Sequence, residues 1–247
     1  MDLQAFFSDH PSVALAFSGG VDSSYLLYAA LRYGAVVKAY YVKSAFQPDF
    51  ELEDARKLAR ALNADMTVLH EDILAAAEVA ANPADRCYYC KKRIFQAIGK
   101  QASADGFSLI IDGTNASDDS GDRPGMKALA EMSVRSPLRE CGMTKDIIRK
   151  LSKEAGLFTW DKPAYACLAT RIPTGRIITN ELLRKVESAE NILFSMGFTD
   201  FRVRVINDAA RLQTPSEQMS AVLERKEQIM RAFEPYFPIV LLDLANR

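Results

Sequence analysis

With 247 residues, the chain is long enough for one large domain or two small ones. Its 49% hydrophobic and 26% charged content is that of a globular protein and excludes a disordered one, while a net charge of −1 gives no global positive field to recruit nucleic acid. The opening stretch MDLQAFFSDHPSVALAF lacks a basic n-region and a long apolar h-region. No apolar run approaches the roughly 18–20 residues of a spanning helix, so the expectation is a soluble, cytoplasmic protein with no membrane partner.

In chain order, Val13–Phe17 reads as a strand that stops abruptly at SGGVDSS. Tyr25, Leu26, Leu27, Ala29, Ala30 and Leu31 then follow a helical pattern that Gly34 closes, and AVVKAYYV reads as a second strand. A helix over about 50–62 carries Leu52, Ala55, Leu58, Ala59 and Leu62 on helical spacing. MTVLHED is a third strand, a helical tract bears Cys87 and Cys90, and SLIIDGTN is a fourth strand ending at Gly113. This alternation predicts an α/β fold, a parallel sheet with helices on both faces, in which ligands bind at the carboxyl ends of the strands. Both SGGVDSS and DGTNASDD fall at such ends. A helix over 144–156, with Thr144 at its start and Gly156 at its end, leads to the loop TWDKPAYACLATRIPTGR. We set the domain boundary in that loop, with a first domain over 1–170 and a second over 171–247. The second reads as a small α+β unit: a helix (181–196), FRVRVI, a turn at Asn207–Asp208, AARLQT, one helix (217–233) and the strand PIVLLDL.

Two adjacent glycines after a strand permit positive φ and close approach of a ligand to the backbone. The helix that follows offers free amides and a positive dipole end to an anion, and Ser18, Ser23 and Ser24 add hydroxyls without bulk. A plain strand–turn–helix capped by Asp22 or Ser23 is the alternative. The string is neither a Walker loop nor GxGxxG. It resembles the SGGxDS signature of the PP-loop ATP pyrophosphatases, a Rossmann-like group of adenine nucleotide alpha hydrolases that includes NAD synthetase, GMP synthetase and tRNA thiolases. The resemblance implies cleavage of ATP between its α- and β-phosphates, with Ser18, Gly19, Gly20, Asp22 and Ser23 holding pyrophosphate and Mg2+ bridging the phosphates.

The segments CYYCKKR, RPGMKAL, VRSPLRE, TKDIIRKLSKEAGL, WDKPAYACLATRIPTG and FRVR narrow the likeness. Together they resemble the LarE family, ATP-dependent sulfur transferases (sulfur insertases) of nickel-pincer cofactor biosynthesis. That likeness covers nearly the whole chain. It implies that a pyridinium dicarboxylate mononucleotide is activated as its adenylate and converted to thiocarboxylates. Cys167, in PAYACLATR, matches the position that supplies sulfur. In one branch of the family this cysteine gives up its own sulfur and becomes dehydroalanine. In the other, a CxxC joins it, and three thiolates are thought to hold a [4Fe–4S] cluster with one iron left open for a transferable sulfide. Cys87 and Cys90 fit the second branch; by themselves they also fit a redox pair or half a zinc site. Cys141 has no near partner in the sequence and reads as a small hydrophobe.

The set expected to bind the nucleotide is completed by Ser24, Ser44, Gly113, Thr114, Asn115 and Arg123, the last beside Lys127 in RPGMKA. Asp118 is a candidate magnesium carboxylate, although Asx-rich segments are often only turns. Arg202 and Arg204 alternate along FRVRV and so share one face of a strand, where their planar forks suit phosphate. The resemblance adds Arg171 to these as substrate-binding residues and places a metal-associated glutamate at Glu190. It also implies a homo-oligomer and leaves the sulfur donor open. Rival readings are an amidating ligase of the NAD synthetase kind, a tRNA thiolase and a nucleotide sensor without catalysis. The near-neutral charge and the lack of an aromatic–basic stripe weigh against the thiolase.

Overall fold

The computed structural model describes residues 2–118 and 124–245. The chain forms two compact units, Met1–Ile73 with Asp85–Lys162, and Leu74–Ala84 with Pro163–Arg247. In the first unit the order is α1 (Leu3–Asp9), β1 (Ser12–Ala16), α2 (Val21–Arg32), β2 (Val36–Lys43), α3 (Asp49–Ala61) and β3 (Asp65–His70). A short α4 (Ala77–Ala80) belongs to the second unit. The first then resumes with α5 (Arg86–Ala104), β4 (Ile110–Asp112), α6 (Pro124–Glu131), α7 (Pro137–Glu140) and α8 (Lys145–Glu154).

Four strands pair in the order β3-β2-β1-β4, all of them parallel as the alternation of strands and helices predicts. Successive side chains along each strand feed opposite faces. Val13 and Leu15 of β1, with Val37, Ala39 and Tyr41 of β2, pack against α1, α2, α3 and α8. Ala14, Tyr40 and Val42 pack against Phe95 and Ile98 of α5 and Leu129 of α6. Helices therefore cover both faces, each over its own core. The crossovers that follow β1 and β2 run on one face, and α5 returns to β4 on the other. This puts the change of direction between β1 and β4, the place where open α/β sheets bind ligands.

The second unit continues through α9 (Asn180–Ser195), β5 (Arg202–Ile206), β6 (Ala209–Gln213), α10 (Ser216–Glu224), α11 (Lys226–Phe233) and β7 (Ile239–Leu242). Its sheet is mixed, with β5 antiparallel and β7 parallel to the central β6. One helix was expected over 217–233, yet the backbone breaks at Arg225 (φ −101°, ψ 13°). The break lets Val222 before it and Ile229 and Phe233 after it each turn inward, while the Arg225 guanidinium donates to Met196 O at 2.7 Å. The segment 74–84 is tied into this unit by backbone bonds from Gly175 N to Asn82 O and from Ile178 N to Ala80 O, both 2.8 Å. Asn82 is 1% exposed and donates from its side chain to Pro173 O at 2.8 Å. No helix among the described residues is long and apolar enough to cross a membrane.

Candidate functional site

The apolar strand β1 ends at Ala16, and after Phe17 the chain enters a tight loop. Gly19 takes φ +72°, and a Cβ there would stand 3.1 Å from Ala55 Cβ of α3, so glycine is required on both counts. Gly20 caps α2 in extended geometry with no side-chain bond, leaving the first amides of the helix to a ligand. The loop is held by hydroxyls. Ser18 N donates to Ser23 Oγ at 3.2 Å, Gly20 N to Ser18 Oγ at 3.3 Å, and the two hydroxyls lie 3.0 Å apart. Ser24 is fully buried beneath the turn.

The β4 loop closes on the same helix end. A Cβ on Gly113 would meet Ser23 N at 2.9 Å and Ser23 Cα at 3.1 Å, so the loop after β4 and the first turn of α2 touch backbone to backbone. Gly113→Ala should therefore push α2 away, costing about 1–3 kcal/mol and weakening ATP binding by at least as much as it lowers stability. Calorimetric titration of ATP beside a melting curve checks this.

Asp112 shapes the loop, accepting from Thr114 Oγ1 at 2.6 Å and from Ser136 Oγ at 2.7 Å. Asn115, 3% exposed, donates its N–H to Asp118 Oδ2 at 2.9 Å and accepts from Ser117 N at 2.8 Å. Asp118 thus spends one oxygen on its own turn. Ser44 does the same kind of work at the end of β2, where its hydroxyl donates to Gln47 Oε1 at 2.7 Å. Arg123 lies outside the described residues, and Lys127 sits with its ammonium 5.5 Å from the centre of the Tyr88 ring.

Two residues that sequence reasoning did not mark join the loop. Lys145, the first residue of α8, forms an ion pair with Asp22 and donates its N–H to Ser117 Oγ at 2.9 Å. Arg139 donates to Asp118 O at 3.2 Å. The other oxygen of Asp22, Oδ1, is screened from solvent and has no hydrogen-bond partner among the described residues. Mg2+ commonly takes one or two carboxylates and completes its shell with phosphate oxygens and water, so an orphaned carboxylate oxygen in the first turn of α2 fits the ion.

Cys87 and Cys90 occupy the first turn and a half of α5, one helical turn apart and on one face, with Cys87 exposed and Cys90 half-buried. Arg86 Nη2 lies 3.8 Å from Cys87 Sγ. All four cysteines carry thiols. Two thiolates on one face at a helix N-terminus, beside a guanidinium, suit an anionic cluster. Among the described residues no three His, Cys, Asp or Glu side chains gather into a metal-sized group, so a cluster needs its third ligand from elsewhere in the chain. Cys141 packs against the first unit's core, and burial pushes its thiol pKa up.

In the second unit, Cys167 caps a short 3-10 turn over Leu168–Arg171. Its carbonyl accepts from Thr170 Oγ1 at 2.8 Å and lies 3.5 Å from Arg171 Nη1. Arg171 is 1% exposed and makes a forked pair with Glu190, Nε to Oε1 at 2.9 Å and Nη2 to Oε2 at 3.1 Å. Tyr165 donates to Glu190 Oε2, and Val203 N donates to Oε1 at 2.9 Å. The carboxylate that the resemblance assigns to a metal thus has both oxygens engaged by donors of its own unit.

Arg202 and Arg204 do share a face. They reach back to the Cys167 segment, Arg202 to Ala164 O and Arg204 to Thr170 O at 2.7 Å. Burial first, and then the neighbouring Arg171, pushes the Arg202 guanidinium down to about 10 and lowers Arg204 as well. Both remain cationic at neutral pH. The network gathers three guanidinium groups around the single carboxylate of Glu190, so positive charge outweighs negative.

A model of the asparagine synthase family matches residues 5–104. Over 247 residues the chain is 34% identical to pyridinium-3,5-bisthiocarboxylic acid mononucleotide synthase of Lactiplantibacillus plantarum, covering 99% of this chain and 90% of that protein. An uncharacterised Synechocystis protein is 34% identical over 249 residues, 98% of this chain and 92% of its own. A further uncharacterised protein, from Methanocaldococcus jannaschii, is 29% identical over 233 residues, with 94% and 89% covered.

Proposed function

Because the chain belongs to the family of pyridinium-3,5-bisthiocarboxylic acid mononucleotide synthase, the LarE-type sulfur transferases of the PP-loop group, we propose that it makes the same conversion. It adenylates the carboxylates of pyridinium-3,5-biscarboxylic acid mononucleotide with ATP and turns them into thiocarboxylates. The observation that carries this reading is the loop Ser18–Ser23, closed at the switch point by Gly113 against the first turn of α2.

A bare carboxylate is a poor electrophile, so activation comes first. The substrate carboxylate oxygen attacks the α-phosphorus of ATP, the bond to the β-phosphate bridge breaks, and pyrophosphate leaves. Its charge is taken up by the amides and dipole end of α2 and by the hydroxyls of Ser18 and Ser23. Asp22 would hold Mg2+, which supplies electrophilic charge to the phosphates. Thr114 and Asn115 line the adjoining strand end, and Arg202 and Arg204 bind the anionic groups of the mononucleotide, while Arg171, expected among them, is buried in its pair with Glu190 and contributes only its charge.

Sulfur then displaces AMP from the acyl-adenylate carbon. Cys87, Cys90 and Cys167 would hold a [4Fe–4S] cluster, which supplies a replaceable sulfide as the nucleophile. If Cys167 is itself the donor, its sulfur forms a thioester, base removes the Cα proton, and the Cβ–S bond breaks to leave the thiocarboxylate and dehydroalanine. A reducing cytoplasm keeps the thiols available. Ile239, Leu241 and Leu244, exposed along and just beyond the edge strand β7, support self-association into a homo-oligomer.

The test is anaerobic protein with ATP, Mg2+ and the pyridinium dicarboxylate mononucleotide. The expected result is pyrophosphate, AMP and a thiocarboxylate product by mass spectrometry. ATP left intact, or an amide formed with ammonia whatever the state of Cys167, would sink the proposal.

A further inference from the structure

A carboxylate in the first turn of a helix is already stabilised by the dipole and needs no lysine. Asp22 nevertheless has one, and the lysine is anchored twice. Its backbone starts α8, which packs along α2, and its N–H is held by Ser117 of the β4 loop at 2.9 Å. Ser117 in turn is fixed by Asn115 Oδ1 at 2.8 Å. The ammonium occupies Asp22 Oδ2 while Oδ1 stays screened and without a partner among the described residues. The side chain of Lys145 is 33% exposed and that of Asp22 is 21% exposed, so the pair is accessible to an incoming anion.

A monovalent ammonium and a divalent ion cannot share one carboxylate without strong repulsion, since the Coulomb term doubles with the second charge. A phosphate chain offers the ammonium another anion a few ångströms away. We propose that Lys145 is a positioning residue that keeps Asp22 closed to divalent cations in the nucleotide-free protein. It swings to the β- and γ-phosphates when ATP enters, so that metal and nucleotide load together. The proposal rests on the ATP reading above and adds an order of events to it. No bond is made or broken; one ion pair is exchanged for another.

The experiment follows Mn2+ by electron paramagnetic resonance in nucleotide-free protein, and ATP by calorimetry with and without Mg2+. Lys145→Met should bind Mn2+ on the order of tenfold more tightly than wild type in the absence of ATP, and MgATP on the order of tenfold more weakly. Lys145→Arg keeps the charge and should restore the poor Mn2+ affinity. Asp22→Asn should bind Mn2+ poorly whether or not Lys145 is present.

A lysine that only neutralised Asp22 would, on removal, raise Mn2+ affinity and leave or improve that for MgATP; the opposite shifts expected for the two ligands therefore carry the proposal, and matched melting curves for Lys145→Met exclude misfolding as the source of the ATP defect. Unchanged or weaker Mn2+ binding in Lys145→Met overturns the proposal. A wild-type protein that binds no ATP overturns the reading beneath it, and the Mn2+ measurement, which uses no nucleotide, tells the two failures apart.

Discussion

Cys167→Ala should release pyrophosphate when ATP and the mononucleotide are supplied, yet form no thiocarboxylate. The two half-reactions separate because they use different atoms. Adenylation depends on the Ser18–Ser23 loop and the substrate carboxylate, and no atom of Cys167 takes part. The backbone around position 167 should survive the change. Its bonds run through the Cys167 carbonyl, which accepts from Thr170 N at 3.0 Å and Thr170 Oγ1 at 2.8 Å, and alanine keeps that carbonyl. Pyrophosphate counted against substrate, with the product analysed by mass spectrometry, decides the matter. Thiocarboxylate at the wild-type rate would remove Cys167 from the mechanism. The same spectra of wild-type protein after turnover distinguish the sulfur sources. A Cys167 of unchanged mass, with iron lost in Cys87→Ala, goes with the cluster; a protein lighter by the mass of one hydrogen sulfide at Cys167 goes with the sacrificial route.

The second large effect is on stability. Glu190→Ala removes the carboxylate that accepts from Arg171, Tyr165 and Val203, and leaves the fully buried Arg171 guanidinium beside Arg202 and Arg204 without it. Breaking a buried pair from one side costs about 3–5 kcal/mol, which for a unit of this size lowers the melting midpoint by roughly 12 °C or more.

Arg202→Met should behave oppositely. Burial and the Arg171 charge already disfavour the Arg202 cation, so its loss should cost much less stability while affinity for the anionic mononucleotide collapses. Substrate present at a hundredfold excess over its dissociation constant should raise the wild-type midpoint and leave that of Arg202→Met where it was. Equal losses of stability in Glu190→Ala and Arg202→Met would mean that the arginines are structural and not a waiting anion site.

What the sequence made legible was what is local. SGGVDSS is a strand end, a turn and a helix start within seven residues, and its chemistry follows from amides and glycines that are neighbours in the chain. Cys87 and Cys90 are legible for the same reason, since i and i+3 on a helix share a face whatever the rest of the protein does. The Asp22–Lys145 pair joins residues 123 apart, and nothing in TKDIIRK marks its lysine as different from those beside it. Glu190 and Arg171 were each readable as charged residues near a site, but their pairing depends on how the loop before α9 folds back. Helical periodicity ran smoothly through Arg225, where the tertiary demands of Val222, Ile229 and Phe233 break the helix. Two-turn α1 escaped notice because Phe6 and Phe7 sit in a stretch too short to establish a period.

The strap 74–84 sets an order on synthesis. A ribosome emits it more than ninety residues before its hydrogen-bond partners, Gly175 for Asn82 and Ile178 for Ala80. During that interval Asn82, destined for full burial, and the small helix beside it have nothing to dock on. The parallel sheet waits in the same way, because central β1 receives its second neighbour only when β4 appears about a hundred residues later. Contacts of such long range favour slow, late acquisition of structure, and they make the nascent first half a natural client for chaperones before either unit is complete.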